Sequence, residues 1–207
     1  LIQNKALELS MFLSLPASVA LFVGSEEIIS ALFGYGSFTA DAVLNSAKAL
    51  FYFGLGLPAF AFIKVFSTFF FANNDTKTPF YISLISVFIN IFISLYYFKS
   101  IGFIIIPIAT SISSWFNSII LFIYLRNKNF FEFNISFVVN LFKIILASVI
   151  MGVFFNYLIF IFQNQLIYDS NFKSFYLIFL VLLTLGFYLL ISFLIKAFNY
   201  KDLQLRY

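Results

Sequence analysis

The side chains of this chain that could bind a ligand or take part in chemistry are one lysine and several amides and hydroxyls. They lie inside strongly apolar segments. Lys64 precedes the end of an apolar run at Ala72 by about eight residues, or roughly 12 Å of helix. An ionisable side chain at membrane depth is costly to bury and is therefore a functional candidate. A lysine can also extend its ammonium to the membrane surface. Lys64 is thus either a cavity group or an interfacial anchor.

Polar side chains recur at helical spacing on the two apolar segments that follow. They form one stripe on each segment: Ser83, Ser86, Asn90 and Ser94 on the first, and Thr110, Ser114 and Asn117 on the second. Serines on such a face are typical of close helix packing in membranes. An asparagine amide, however, needs partners outside its own helix. Asn90 and Asn117 are therefore predicted to bridge the two helices or to line a shared cavity.

Several chemistries are excluded by composition. The 207 residues include no cysteine and no histidine, so the chain has no disulfide, no thiolate zinc site and no imidazole base. The net charge of +4 is scattered, and no nucleic-acid partner is expected.

The composition requires a membrane environment. Hydrophobic residues make up 63% of the chain and charged residues only 10%, whereas soluble domains carry about 25% charged residues. The apolar runs are continuous rather than alternating, which favours helices over a barrel. The fold predicted is an all-α, polytopic membrane protein with six transmembrane helices, at about 6–33, 41–72, 79–98, 103–125, 137–162 and 174–198.

The basic residues in the loops predict the orientation of these helices. One side carries more of them than the other: Lys5, Lys77, Arg126, Lys128, Lys201 and Arg206, against Lys48, Lys99 and Lys173. Because cytoplasmic loops are enriched in lysine and arginine, the first side is predicted to be cytoplasmic, with both chain ends there. Residues 1–126 then form a four-helix unit, 127–136 a cytoplasmic loop, and 137–207 a further helix pair with a tail.

The second predicted helix carries the strongest local signals. Thr39 is a predicted N-cap, and Thr78 followed by Pro79 predicts that the next helix begins there. Gly54, Gly56 and Pro58 interrupt the apolar run at mid-length and predict a bend that could act as a hinge.

These features together resemble the MurJ/MviN family of lipid II flippases. The resemblance spans about residues 1–125 and is carried by Asn4, Leu15-Pro16-Ala17, the segment from Leu32 to Phe38, Asp41, Ala49-Leu50, Gly54-Leu55, Phe60, Lys64, the turn from Ala72 to Pro79, Asn90, Gly102, Ala109-Thr110-Ser111 and Asn117. Its specific parts are the glycine-cornered turn and the polar turn that ends in Pro79.

The resemblance implies a fold and an activity. Family members have fourteen spans, of which the last two form an extra pair beside the second of two lobes. The chain, which begins without methionine, would be the C-terminal part of such a flippase: the last four helices of the second lobe and the extra pair. It would act in the bacterial cytoplasmic membrane by moving lipid II, a lipid-linked peptidoglycan precursor, to the outer leaflet. Its partners would be lipid II, membrane lipids and the N-terminal lobe of the same protein.

The resemblance also implies a sodium site and no other cofactor. The matching positions are Asn90, Ser94, the carbonyl of Ile106, and Thr110. Ser94 stands where the family has aspartate, and the loss of one formal charge weakens a site for a hard cation. Two other functions remain open: an exporter of other lipid-linked sugars or small cations in the same superfamily, and a non-transporting membrane scaffold that binds lipid.

Overall fold

The computed structural model describes residues 2–132, 134–170 and 172–197. Within these ranges the secondary structure is helical. The α-helices are α1 (Ile2–Val23), α2 (Ser25–Phe33), α3 (Ala40–Ala72), α4 (Lys77–Ile101), α5 (Ile105–Asn127), α6 (Ile135–Ile161), α7 (Gln163–Leu166) and α8 (Lys173–Leu194). A 3-10 turn at Gly102–Ile104 joins α4 to α5. The predicted tail, with Lys201 and Arg206, lies outside the described residues.

Five segments are long and apolar enough to cross a membrane, judged by length and composition. One of them, Lys77–Asn127, contains both α4 and α5. As a single helix its 51 residues would be about 76 Å long, more than twice the thickness of the apolar core of a bilayer. The turn at Gly102, where φ is +76°, folds it into two packed antiparallel helices. The all-α, multi-pass membrane fold is therefore confirmed, and counting α4 and α5 separately gives about six long apolar helices among the described residues.

The first predicted span is not one uniform helix. Pro16 lies inside α1 without breaking it, and the interruption falls at Gly24 instead. A β-carbon on Gly24 would lie 2.5 Å from the ring of Phe155 on α6, so this position accepts only glycine at the observed spacing. Backbone hydrogen bonds still cross the interruption, from Gly24 N–H to the Ala20 carbonyl and from Ile28 N–H to the Gly24 carbonyl. α2 is therefore a redirected continuation of α1.

Helix α3 is the central element of the bundle. It packs against α1 and α5 along most of its length, while α4 contacts mainly α5. Near its carboxyl end the aromatic residues of α3 form the largest buried cluster with α1, α4, α5 and the loop that follows α5; its members are Leu7, Phe66, Phe69, Phe70, Ile82, Leu121, Leu125, Phe131 and Phe137. Lipid tails are as apolar as these side chains, so the cluster holds the helices together through close van der Waals packing.

The last two spans pack beside this unit. α6 lies along α1, and α8 lies against α6 and α2. The α1–α6 contact is very close, because a β-carbon on Gly152 would lie 2.4 Å from Val19. Tyr188 of α8 donates a hydrogen bond to the Phe12 carbonyl of α1 at 2.8 Å. The face of α8 turned away from the bundle is exposed leucine and phenylalanine, which suits contact with lipid.

The turn between α3 and α4 differs from its prediction in one respect. Thr39 does cap α3, since its hydroxyl accepts from Ala42 N–H at 3.3 Å. The prediction that α4 begins with Thr78 as its N-cap is wrong, because the helix starts at Lys77. Asp75 supplies the cap instead: its carboxylate accepts from Thr78 N–H at 3.0 Å and from the Thr78 hydroxyl at 2.7 Å. A carboxylate offers two acceptor oxygens, so it satisfies both donors at once.

Asp75 also joins two loops. Lys128, which follows α5, donates to this carboxylate at 2.5 Å. The Lys128 ammonium also lies 5.8 to 6.0 Å from the ring centroids of Phe130 and Phe70. Hydrogen bonds from Lys128 and then from Thr78 lower the pKa of Asp75 to about 2. The residue is therefore ionised at neutral pH and holds the α3–α4 turn against the end of α5.

Candidate functional site

The middle of α3 has backbone carbonyls that other helices bind. Pro58 has no N–H, so the carbonyl of Gly54, four residues earlier, loses its usual helical partner. Ser18 of α1 replaces it and donates to this carbonyl at 2.7 Å in a buried position. From the other side, Trp115 of α5 donates to the Leu55 carbonyl at 3.0 Å. The proline is thus accommodated by hydrogen bonds from both neighbouring helices.

The two glycines of the predicted hinge are sites of close contact. A β-carbon on Gly54 would lie 3.0 Å from the β-carbon of Leu21, and one on Gly56 would lie 2.8 Å from the hydroxyl of Ser111. Ser111 in turn donates to the Tyr52 carbonyl at 2.5 Å. Small residues therefore let α1 and α5 approach the α3 backbone. α3 itself is continuous through Gly54, Gly56 and Pro58, and a hinge at these residues remains a prediction.

A polar groove lies between α3, α4 and α5. It encloses about 300 Å³ and is lined by Phe60, Ile63, Ser83, Ser86, Val87, Asn90, Thr110, Ser113, Ser114 and Asn117. Two predicted stripes thus face each other across the α4–α5 interface, as helical spacing indicated. Phe60 and Ile63 of α3 close the groove with apolar surface.

Both asparagines bridge α4 and α5 within this groove. The Asn90 amide lies 3.0 Å from the Thr110 hydroxyl and 3.4 Å from the Ser113 hydroxyl. Asn117, which is only 6% exposed, donates to the Ser83 hydroxyl at 3.4 Å. Its amide oxygen has no hydrogen-bond partner among the described residues. Such a buried acceptor costs about 1 to 3 kcal/mol when unsatisfied, so Asn117 offers an acceptor to water or a polar ligand in the groove.

Of the predicted sodium ligands, Asn90 and Thr110 line this groove, and Ser94 and Ile106 lie one helical turn from them. Thr110 donates from its hydroxyl to the Ile106 carbonyl at 2.8 Å, and Asn90 contacts the same hydroxyl. Ser94, one turn beyond Asn90, has a buried hydroxyl with no partner in the described ranges. An amide oxygen, two hydroxyls and a carbonyl are the neutral oxygen donors that a hard cation takes. The residues present therefore fit a cation in donor type, although none carries a formal charge.

Lys64 is not among the groove residues. Its side chain is exposed, although Phe60 and Ile63 beside it on α3 do line the groove. No described residue contacts its ammonium, and its backbone carbonyl accepts from the Thr68 hydroxyl at 2.9 Å. The structure thus brings Asn90 and Asn117 together and leaves Lys64 on the outer surface of α3.

The sequence did not indicate one further feature of the bundle, a buried lysine at the start of α8. Lys173 is 1% exposed, and its ammonium donates to the carbonyls of Gly34 and Tyr168 at 2.6 Å each. The rings of Tyr35 and Tyr168 lie 4.3 and 4.5 Å from it. Lys173 therefore ties α8 to the turn between α2 and α3. A loop lysine normally signals an exposed residue, and only the fold encloses this one.

Comparison with known proteins gives a consistent assignment. The family model described as "Lipid II flippase MurJ" matches residues 1–178. A probable lipid II flippase MurJ from Rickettsia prowazekii is 36% identical over 154 residues, which cover 73% of this chain and 30% of that protein. One from Thermotoga maritima is 35% identical over 198 residues, covering 95% of this chain and 38% of that protein.

A solved structure agrees with these relatives. A chain described as "Lipid II flippase MurJ, inward closed conformation" superposes with a TM-score of 0.76 at 27% identity, over 97% of this chain and 39% of that one. The present chain spans between 30% and 38% of the length of the two relatives described above. The family model matches most of the chain, and the relatives described above are at least 35% identical to it. This chain is therefore a multi-pass membrane protein that belongs to the MurJ family of lipid II flippases.

Proposed function

We propose that this chain forms part of an alternating-access flippase that moves lipid II from the inner to the outer leaflet of the bacterial cytoplasmic membrane. It would work together with an N-terminal lobe of the same protein, with both ends of the chain on the cytoplasmic side. It acts as a transporter and not as an enzyme.

One observation carries this proposal, the polar groove between α3, α4 and α5. Serine and threonine on such faces also serve helix packing, but an asparagine amide needs partners outside its own helix. The groove has open volume and an unsatisfied acceptor on Asn117, which a bundle held only by packing would not need. The opposite face of α4 carries exposed aromatic residues, which supports contact with lipid or a further lobe.

Alternating access requires elements that can be rearranged as rigid bodies. The segment of α3 at Gly54, Gly56 and Pro58 is proposed as the hinge, because Pro58 removes the helical donor of the Gly54 carbonyl and a side chain of α1 takes its place. A hydrogen bond from a side chain to a backbone carbonyl can be exchanged at lower cost than the regular backbone hydrogen bonds of a helix. Lys64 would face the shared cavity between the lobes, since the described chain leaves it exposed.

Growth of a depleted strain tests the transport function. The full-length gene should restore growth to a bacterium depleted of its own lipid II flippase. Asn117→Ala should restore it less well at equal membrane abundance, because the groove loses its polar acceptor. Asn156→Ala, which alters an exposed asparagine of α6 outside the groove, is the matched control. Absence of growth with well-expressed wild-type protein would contradict a flippase and favour the scaffold or another exporter.

A sodium ion is proposed at the end of the same groove. Asn90, Ser94, Thr110 and the Ile106 carbonyl would hold it, with the Asn90 amide turned so that its oxygen faces Thr110. This rotation gives up the hydrogen bonds that the amide donates to Thr110 and Ser113, and coordination of the ion by the amide oxygen would have to offset them. Bound sodium would supply positive charge that couples ion binding to movement of α4 against α5.

Thermal unfolding measures this site without transport. Sodium should raise the Tm of the purified full-length protein slightly, and more clearly in Ser94→Asp, which adds the missing charge. The gain should vanish in Thr110→Val, because a ligand stabilises only the state that binds it. Potassium at equal ionic strength is the control. A Tm that does not depend on sodium, in both the wild type and Ser94→Asp, would leave the residues as helix-bridging groups.

A further inference from the structure

A second cavity lies at the other end of the bundle from the α3–α4 turn. It encloses about 270 Å³ between α2, the start of α3, the end of α6 and α7. Its polar lining comes from Glu26, Glu27, Ser30 and Gln163, and Val43, Leu166 and neighbouring aliphatic residues form its apolar walls. None of these residues belongs to the polar groove described above.

One hydroxyl of this cavity is buried without a partner, and its two carboxylates have no cationic neighbour. Ser30 is 6% exposed, and its hydroxyl makes no hydrogen bond to any described residue. In the described part of the chain, no cationic side chain lies within ion-pairing distance of Glu26 or Glu27. Burial raises the pKa of Glu27, with a smaller contribution from the adjacent Glu26. Two carboxylates and a buried hydroxyl therefore line a space in which no described cationic side chain pairs with them.

The charge around the cavity favours a monovalent cation. Tyr168, which lines it, is stacked on the buried ammonium of Lys173. Two carboxylates and this one ammonium leave a single net negative charge. A divalent cation would also need six or more oxygen ligands. The side chains of Glu26, Glu27, Ser30 and Gln163 carry six oxygens together, so a divalent cation would have to take all of them at once. The volume and aliphatic walls of the cavity suit an organic cation better than a bare ion.

The level of the cavity in the bundle indicates the source of this cation. α1 ends at Val23 just before the glutamates, α3 starts at Ala40, and α6 ends at Ile161 just before Gln163. The apolar spans thus end together at this level, which is where phospholipid headgroups lie. The aliphatic walls continue into exposed apolar residues, Leu44 among them, on the adjoining span.

We propose that this cavity binds a primary ammonium group, supplied by the ethanolamine headgroup of a membrane phospholipid. The ammonium would donate its three N–H groups to the carboxylates of Glu26 and Glu27 and to the hydroxyl of Ser30. A primary ammonium is preferred over a trimethylated one because only the former has N–H donors, although both carry the same charge.

Thermal unfolding of the full-length protein in detergent tests this site with short-chain lipids. Phosphatidylethanolamine should raise the Tm by about 3 °C near saturation, whereas phosphatidylcholine with the same acyl chains should not. Glu27→Gln and, independently, Ser30→Ala should remove most of the gain. Asp41→Asn is the matched control, because it neutralises an exposed carboxylate at the same end that does not line the cavity. The Tm without lipid shows that each variant is folded.

The remaining outcomes overturn specific parts of the proposal. Equal gains from both lipids, or a full gain in both Glu27→Gln and Ser30→Ala, would refute an ammonium site. An equal gain from free ethanolamine would keep the ammonium group and overturn the lipid as its source. A gain from calcium chloride without one from phosphatidylethanolamine would replace the ammonium by a metal ion. None of these results depends on whether the protein moves lipid II.

Discussion

Ser18→Ala should destabilise the protein through the Gly54 carbonyl alone. This carbonyl is buried, and Pro58 deprives it of its helical donor, so the Ser18 hydroxyl is the donor that the structure supplies. An unsatisfied buried carbonyl costs about 1 to 3 kcal/mol in soluble proteins, and interhelical bonds in membranes contribute about 0.6 kcal/mol on average and about 1.7 at most. We therefore expect a loss of about 1 kcal/mol.

A double-mutant cycle with Pro58→Ala isolates this contribution. Alanine restores an N–H that can donate to the Gly54 carbonyl, so Ser18→Ala should cost close to nothing in that background. The assay is equilibrium unfolding of the full-length protein in mixed micelles, with Ser14→Ala, one turn earlier on α1, as the control. Equal effects of Ser18→Ala with proline and with alanine at position 58 would refute the reasoning, because the two residues would then act independently.

Three further predictions follow from other contacts. Gly56→Ala should cost about 2 kcal/mol in unfolding free energy, since the added methyl would meet Ser111 at 2.8 Å, and Ser111→Ala in the same chain should relieve part of this loss. The Asp75–Lys128 contact should stabilise the fold at neutral pH and lose this effect as the pH falls from about 3.8 towards about 2, because the carboxylate has a lower pKa in the folded than in the unfolded protein. Asp75→Asn should remove that pH dependence from acid unfolding curves. Lys173→Met should destabilise by about 3 kcal/mol by leaving two carbonyls without a donor, and a stability equal to that of the wild type would exclude the enclosed ammonium as a structural tie.

Local signals placed the crossing helices well and their ends less well. Thr39 caps α3 as its position indicated, because an N-cap bond involves only four successive residues. At the next helix the same type of signal misled: Thr78 and Pro79 form a standard start, but Asp75 reaches both donors of Thr78 and begins the helix earlier. The first predicted span is interrupted at Gly24, where the ring of Phe155 on α6 leaves no space for a larger residue.

The sequence by itself determined that this chain is a helical multi-pass membrane protein with polar stripes on two adjacent helices. Composition, run length and helical spacing are properties of consecutive residues, so no tertiary information was required. Only the tertiary structure decided which polar groups meet. In the folded chain Asn90 of α4 donates to Thr110 of α5, and Asn117 of α5 donates to Ser83 of α4. Lys64 is exposed and Lys173 is buried. The physical reason is that a polar group in an apolar bundle is satisfied by whichever helix packs against it, and that neighbour is distant in sequence.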